Sequence, residues 1–208
     1  MIDLAQRWSN LWKDTGAVGN RKGIYELIAT LYTNSPRYYH NLSHIENCLL
    51  VFDETGYLAA HPNEVRMALW LHDAIYDTHA ADNEKMSAEF AYWLCVTIGL
   101  SHDFSERVAR LILATTHDPH PLDIDMNLVT DIDLSSLGSP AEVFDRNGEN
   151  IRREYLCVPR EEFDRKLAER LKKFLDRPRI YYTNFFRQKY EAQARSNLQR
   201  TLRNLAKG

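Results

Sequence analysis

The stretch Ala68-Leu69-Trp70-Leu71-His72-Asp73-Ala74-Ile75-Tyr76-Asp77 decides the reading of this chain. Val65, Ala68, Leu69 and His72 recur at helical spacing, behind a proline, Pro62, suited to a first helical turn. An apolar helix face therefore ends in a histidine followed at once by an aspartate. A buried carboxylate without a partner costs several kcal/mol, so the doublet calls for a compensating charge, and a divalent cation supplies one.

Working outward, the same 3.6-residue periodicity runs through nearly the whole chain, and no strand-like alternation interrupts it. Asp82-Asn83-Glu84 opens a helix that passes Met86, Phe90, Trp93 and Leu94 and stops at Gly99. Asp103 with Glu106 reads as a capping box ahead of Val108, Leu111 and Ile112, and Ser139-Pro140-Ala141-Glu142 as a second capping signature. Beyond Pro159 two long helices are expected, broken near Arg177-Pro178. The fold expected is all-α, one domain over residues 1–208 with about nine helices. A metal-site core spans about 35–140, and basic C-terminal helices at 160–206 pack on it.

At 208 residues, 44% hydrophobic and 26% charged, the chain can bury a full core as an ordinary globular domain. No apolar run approaches the ~20 residues that cross a bilayer, and no secretory leader opens the sequence, so a cytoplasmic location with no membrane partner is the default. The cysteines, Cys48, Cys95 and Cys157, are odd in number and widely spaced, which argues against a disulfide framework or a cysteine zinc site. Each reads as a small buried hydrophobe. Residues 1–159 carry 12 basic and 23 acidic side chains, residues 160–208 carry 14 and 6, giving −11 and +8. The basic quarter lacks any reader motif and is taken as solvated helix surface rather than a nucleic-acid site.

Four segments supply candidate ligands. In Tyr39-His40-Asn41-Leu42-Ser43-His44-Ile45, His40 and His44 share a face if the segment is already helical; if Ser43 caps the helix, only His44 is firmly on it. His72-Asp73 is the second. The third is Ala114-Thr115-Thr116-His117-Asp118, closing an amphipathic helix. The fourth is Thr130-Asp131-Ile132-Asp133-Leu134-Ser135-Ser136-Leu137-Gly138. Imidazole nitrogen with carboxylate oxygen suits one divalent transition metal, Mn²⁺, Ni²⁺, Zn²⁺, Co²⁺ or Fe²⁺, with Mg²⁺ admissible. A Gly-rich phosphate loop, an HExxH pair and a Gly-x-Ser-x-Gly elbow are all missing, which removes the chemistries that need them.

These four pieces, in this order, resemble the HD-domain superfamily of metal-dependent phosphohydrolases. The closest likeness is to a group of about 200 residues described as predicted HD phosphohydrolases. It extends from about residue 35 to 200 and takes in Asp82-Asn83-Glu84 with Ser87, and a late Glu191, Ala194, Arg195, Asn197, Leu198 pattern. The resemblance implies metal ligation by His44, His72, Asp73 and Asp133, with Asp131 as the alternative fourth ligand. It implies a metal-activated water attacking a phosphate ester, a nucleotide or a related small phosphate. His40 and His117 are then expected to face the phosphate or act as acid–base groups. Arg37, Lys85 and Glu84 are candidates for holding substrate. The run from His72 to Thr78 is also similar to the His-Asp-x-x-Glu-Asp segment of alarmone hydrolases. There Asp77 matches the second acid and Tyr76 replaces the first, so Asp77 is a candidate to orient the attacking water. The competing readings are a metal- and nucleotide-binding module without turnover and a di-iron oxygenase, which needs more histidines. A homodimer is compatible with all of these.

Overall fold

The computed structural model describes residues 3–34, 36–117 and 123–207. Among them are ten α-helices joined by turns and short 3₁₀ segments, and no strand, so the all-α expectation holds with ten helices in place of about nine. The chain forms two compact units, Met1–Ile132 and Asp133–Gly208.

The first unit contains α1 (Leu4–Thr15), α2 (Arg21–Thr33), α3 (Leu42–Thr55), α4 (Pro62–Leu71), α5 (Asn83–Thr97), α6 (His102–Leu113) and α7, which runs Ile124–Asp133 and so ends on the first residue of the second unit. Helix α4 is the hub: α1, α3, α5 and α6 all pack against it. That explains the composition of its second half, since Val65, Met67, Ala68, Leu69, Trp70 and Leu71 are all buried, and a helical stretch apolar on every side is stable only when covered on every side. Trp70 meets Trp8 of α1 edge-to-face, with ring centroids 5.5 Å apart, a favourable arrangement of aromatic quadrupoles. Pro62 occupies the first turn of α4 as the sequence implies.

Two helix starts differ from the sequence reading. Helix α6 is capped by Ser101, whose side chain accepts from the Phe104 N–H, leaving Asp103 inside the first turn. Serine and aspartate are nearly equal caps, so neighbouring candidates are settled by packing. At α8 (Ala141–Glu154), Pro140 stands just outside the helix, and its carbonyl receives the first helical N–H groups. Gly99 ends α5 as expected: at φ 81° its backbone lies in the left-handed region, and Leu100 N–H returns to the Cys95 carbonyl, a glycine-terminated cap.

The second unit holds a 3₁₀ turn (Leu134–Gly138), α8, α9 (Arg160–Leu175) and α10 (Asn184–Leu205). Helix α10 packs on α9 and on the turn. The late pattern Glu191 to Leu198 serves this packing. Glu191 accepts from the Ile180 and Tyr181 N–H groups, and Arg195 donates to the Leu175 and Arg177 carbonyls. Asn197 Nδ2 donates to the carbonyls of Leu137 and Ser139, each at 2.9 Å, while Tyr181 Oη donates to that of Leu134. The turn directly after Asp133 is thus clamped at both ends. Tyr181 and Phe186 are fully buried and stacked, packing residues as expected.

Candidate metal centre

The first donor pair is placed by helix ends. Asn41, not Ser43, caps α3: its Oδ1 accepts from Ser43 N–H at 2.9 Å, and its Nδ2 donates to the Arg37 and Tyr38 carbonyls. His40 therefore lies outside the helix, while His44 sits in its first turn and Cys48 one turn further on, on the same face. His44 and Cys48 are both buried.

His72 terminates α4. Its N–H closes on the Ala68 carbonyl at 2.8 Å, and its ring Nδ1 lies 3.1 Å from the Leu69 carbonyl oxygen. A carbonyl can only accept, so Nδ1 carries the proton and Nε2 of the neutral ring presents its lone pair away from α4. That Nε2 is 3.0 Å from His44 Nε2 and 3.1 Å from Asp73 Oδ2, with His44 Nε2 to Asp73 Oδ2 at 3.6 Å. Burial pushes the Asp73 carboxyl up; when the imidazoles are protonated, the charge and hydrogen bond of His72 and the charges of His40 and His44 outweigh it and hold Asp73 below the usual carboxylate range.

His44, Cys48 and His72 each offer a donor atom within 4.8 Å of the others, with the Asp73 carboxylate beside them; Asp133 is the last residue of α7 and the first of the second unit. Asp131, two residues earlier on α7, is fully buried and does not belong to this set. For bonds of about 2.0–2.3 Å to nitrogen, oxygen and sulfur, ligand atoms around one ion stand roughly 3.0–3.7 Å apart. The measured His44, His72 and Asp73 separations fall in that range. The residues could hold a metal ion.

The loop that carries Asp73 is rigidly held. Asp73 N–H donates to Tyr32 Oη, which donates to the Trp70 carbonyl. Ile75 exchanges two hydrogen bonds with Ser87 Oγ, and Asp77 exchanges two with the Asn83 side chain. Asn83 and Ser87, singled out by the family likeness, are clamps on the segment after the doublet.

Arg37 has a comparable place. Its guanidinium donates to the carbonyls of His40, Asp73 and Ala74 at 3.1, 2.6 and 3.0 Å, with the rings of Tyr32 and Tyr76 about it. It ties the His40 loop to the doublet. The Asp77 carboxylate is exposed and accepts from the His79 N–H and ring Nδ1; the backbone bond foremost, with the His79 side chain, lowers its pKa. Lys85 is exposed and within ion-pair reach of Glu89, and Glu84 lies in the first turn of α5. His40 stays beside the cluster, its ring 6.2 Å from that of His44 and 4.5 Å from that of Tyr76. His117 follows a 3₁₀ turn at φ 59° and is buried, a left-handed conformation uncommon outside glycine and enriched at functional sites. Asp118 lies outside the described residues.

Two cysteine expectations change. Cys157 is exposed rather than buried. Cys48 is buried, but it faces imidazole, with Sγ 3.7 Å from His44 Nε2. The signal was the four-residue spacing from His44, masked by apolar neighbours on either side. Family models, curated proteins and solved structures give no significant match to this chain. No helix among the described residues is long and apolar enough to cross a membrane.

Proposed function

We propose that this chain is a metal-dependent phosphohydrolase of the HD type, acting on a small phosphate ester such as a nucleotide. The observation that carries the reading is the convergence of the His44 and His72 Nε2 atoms with the Asp73 carboxylate, 3.0 to 3.6 Å apart, with Asp133 as the fourth ligand that the resemblance implies. Held by these residues, a divalent ion would supply an acidified water, its pKa brought from 15.7 toward ~7, and would offset phosphoryl charge.

The chain's own residues do the rest. Leu69 holds His72 as a lone-pair donor, and the backbone clamps on Asp73 fix its carboxylate. His40, ringed by Tyr39, His44 and Tyr76, is the first candidate to give a proton to a bound ester or take one from it. His117 is the second candidate for that role. Lys85 and Glu84, on the first turn of α5, are candidates to meet the substrate further out.

A second reading, a metal-holding module without turnover, draws on Arg37 and Asp77, whose polar groups are engaged with the fold rather than turned to a ligand. A panel of phosphomonoesters, phosphodiesters and nucleotides, assayed after loading with Mn²⁺, Ni²⁺, Co²⁺ or Zn²⁺, tests the proposal. Release of phosphate or nucleoside that is lost in His40→Ala, with metal content unchanged, is the expected result. Tight metal retention with no product from any ester would replace the enzyme by the binding module.

A further inference from the structure

We propose that the His61–Asp125 pair, with the Arg107 and Arg110 guanidiniums, forms a second binding site, for a small organic anion that also carries a hydroxyl group. The site lies within the first unit and shares no residue with the metal cluster, so it stands whether or not that cluster holds an ion.

A cavity of about 290 Å³ opens between the start of α4, the last turns of α6 and the start of α7, its walls including Ala60, His61, Arg107, Arg110, Leu111 and Met126. The buried Asp125 carboxylate accepts from the Ala60 N–H at 2.7 Å, the His61 N–H at 3.0 Å and the His61 ring Nδ1 at 2.9 Å. A carboxylate only accepts, so Nδ1 carries the proton and Nε2 of the neutral ring offers its lone pair. The two backbone bonds already hold the start of α4. The ring bond adds an oriented, half-exposed imidazole acceptor at the cavity wall.

The charges around the cavity select the sign of the ligand. Arg107 gives Nε and Nη2 to Glu64 at 3.2 and 3.1 Å, and Asp125 is matched by its three donors. Asp123 accepts from the Met126 N–H at the start of α7, where the helix dipole favours a negative charge. Glu106, one turn before Arg110, lies beside His102 instead. Arg110 follows Arg107 by three residues on the same face of α6, and among the described residues it has no hydrogen-bond or ion-pair partner. The unmatched charge is thus positive, and a carboxylate or phosphate completes it. The Nε2 lone pair calls for a donor on the ligand, which a hydroxyl supplies. Ala60, Leu111 and Met126 offer apolar wall to a short carbon body. The volume lies at the lower end of small-molecule sites, which start near ~300 Å³, and suits a hydroxy acid or a small polyol phosphate.

The test is an NMR titration of the full ¹⁵N-labelled chain with glycerol phosphate, lactate, inorganic phosphate and glycerol. Saturable shifts of the His61, Leu111 and Met126 amides with glycerol phosphate or lactate are expected, the tighter of the two naming the anionic group. Arg110→Gln, at an exposed position that leaves the fold intact, should raise the dissociation constant about tenfold, the loss of one charge-assisted bond. The His61 ring should show a protonated Nδ1 and a bare Nε2, with the Nε2 resonance moving on binding. Inorganic phosphate should bind more weakly than glycerol phosphate, and glycerol should not saturate. No saturable shift with either organic anion, shifts confined to other residues, or an unchanged affinity in Arg110→Gln overturns the site. Inorganic phosphate binding as tightly as glycerol phosphate, or a still Nε2 resonance, overturns the hydroxyl-bearing ligand.

Discussion

His72 Nε2 and His44 Nε2 face each other at 3.0 Å, one at the end of α4 and the other in the first turn of α3. The contact is possible because α4 stops at Leu71 and the Leu69 carbonyl turns the His72 ring outward. Two helix ends, each fixed by its own local hydrogen bonds, thus deliver two imidazoles to one point.

Arg37 gives the sharpest contrast between a substrate role and a structural one. Its three carbonyl bonds are charge-assisted, and such bonds contribute about 1.5–3 kcal/mol each when left unmatched. Arg37→Ala should therefore lower stability by roughly 2–4 kcal/mol in urea unfolding, and Arg37→Lys should recover only part, since one ammonium cannot span three carbonyls. A fully stable Arg37→Ala with impaired substrate affinity would restore the substrate role.

The turn after Asp133 should tolerate no side chain at Gly138. A Cβ there would sit 2.6 Å from Tyr190 Cβ and 2.9 Å from the Tyr190 carbonyl oxygen, a clash with backbone that cannot rotate away. Gly138→Ala should cost about 1–3 kcal/mol. Asn197→Ala, which leaves the Leu137 and Ser139 carbonyls without their donor, should cost a similar amount. Unchanged denaturation midpoints for both would show that the turn is not clamped as described.

Alkaline pH should destabilise the fold partly through Cys95. Burial pushes its thiol up to about 12 from 9.0, so the unfolded thiol ionises first. Its contribution is complete below about pH 9 and is lost progressively as pH rises toward 12. Cys95→Ala should flatten the decline of stability between pH 9 and 11 relative to the natural sequence; an identical slope would contradict the assignment.

Thiol accessibility follows from the same burial. Under native conditions an alkylating reagent should modify the exposed Cys157 rapidly, while Cys48 and Cys95 react only on unfolding. Peptide mapping by mass spectrometry distinguishes the three, and rapid native labelling of Cys95 would contradict its placement in the core.

Much of the architecture was legible because helical period, prolines and glycine stops act locally: α4, α5, α9 and α10 lie where those signals put them. The His72-Asp73 doublet could be read as a donor pair because a buried carboxylate at the end of an apolar face needs a partner, and His44 through the family likeness of its segment. What the sequence hid depends on contacts between distant segments. Arg37 reads as a free cation until its bonds 36 and 37 residues away are seen. Asp77 resembles a catalytic acid until His79 and Asn83 are found around it. The choice of Asn41 over Ser43 as cap, which takes His40 off the helix, turns on side-chain bonds to Arg37 and Tyr38. Cys48 was overlooked because apolar neighbours suggested a hydrophobe, although its spacing from His44 was visible.

The central claim is that His44, His72 and their neighbours hold one metal ion. Elemental mass spectrometry of protein purified without chelating resin, compared with Asp73→Ala and His72→Ala, tests it most directly. About one transition-metal ion per chain in the natural sequence, lost in both variants while their helicity is retained, is the expected result. An absence of metal even after loading with Mn²⁺, Ni²⁺, Co²⁺ or Zn²⁺, or a full complement in both variants, would contradict it.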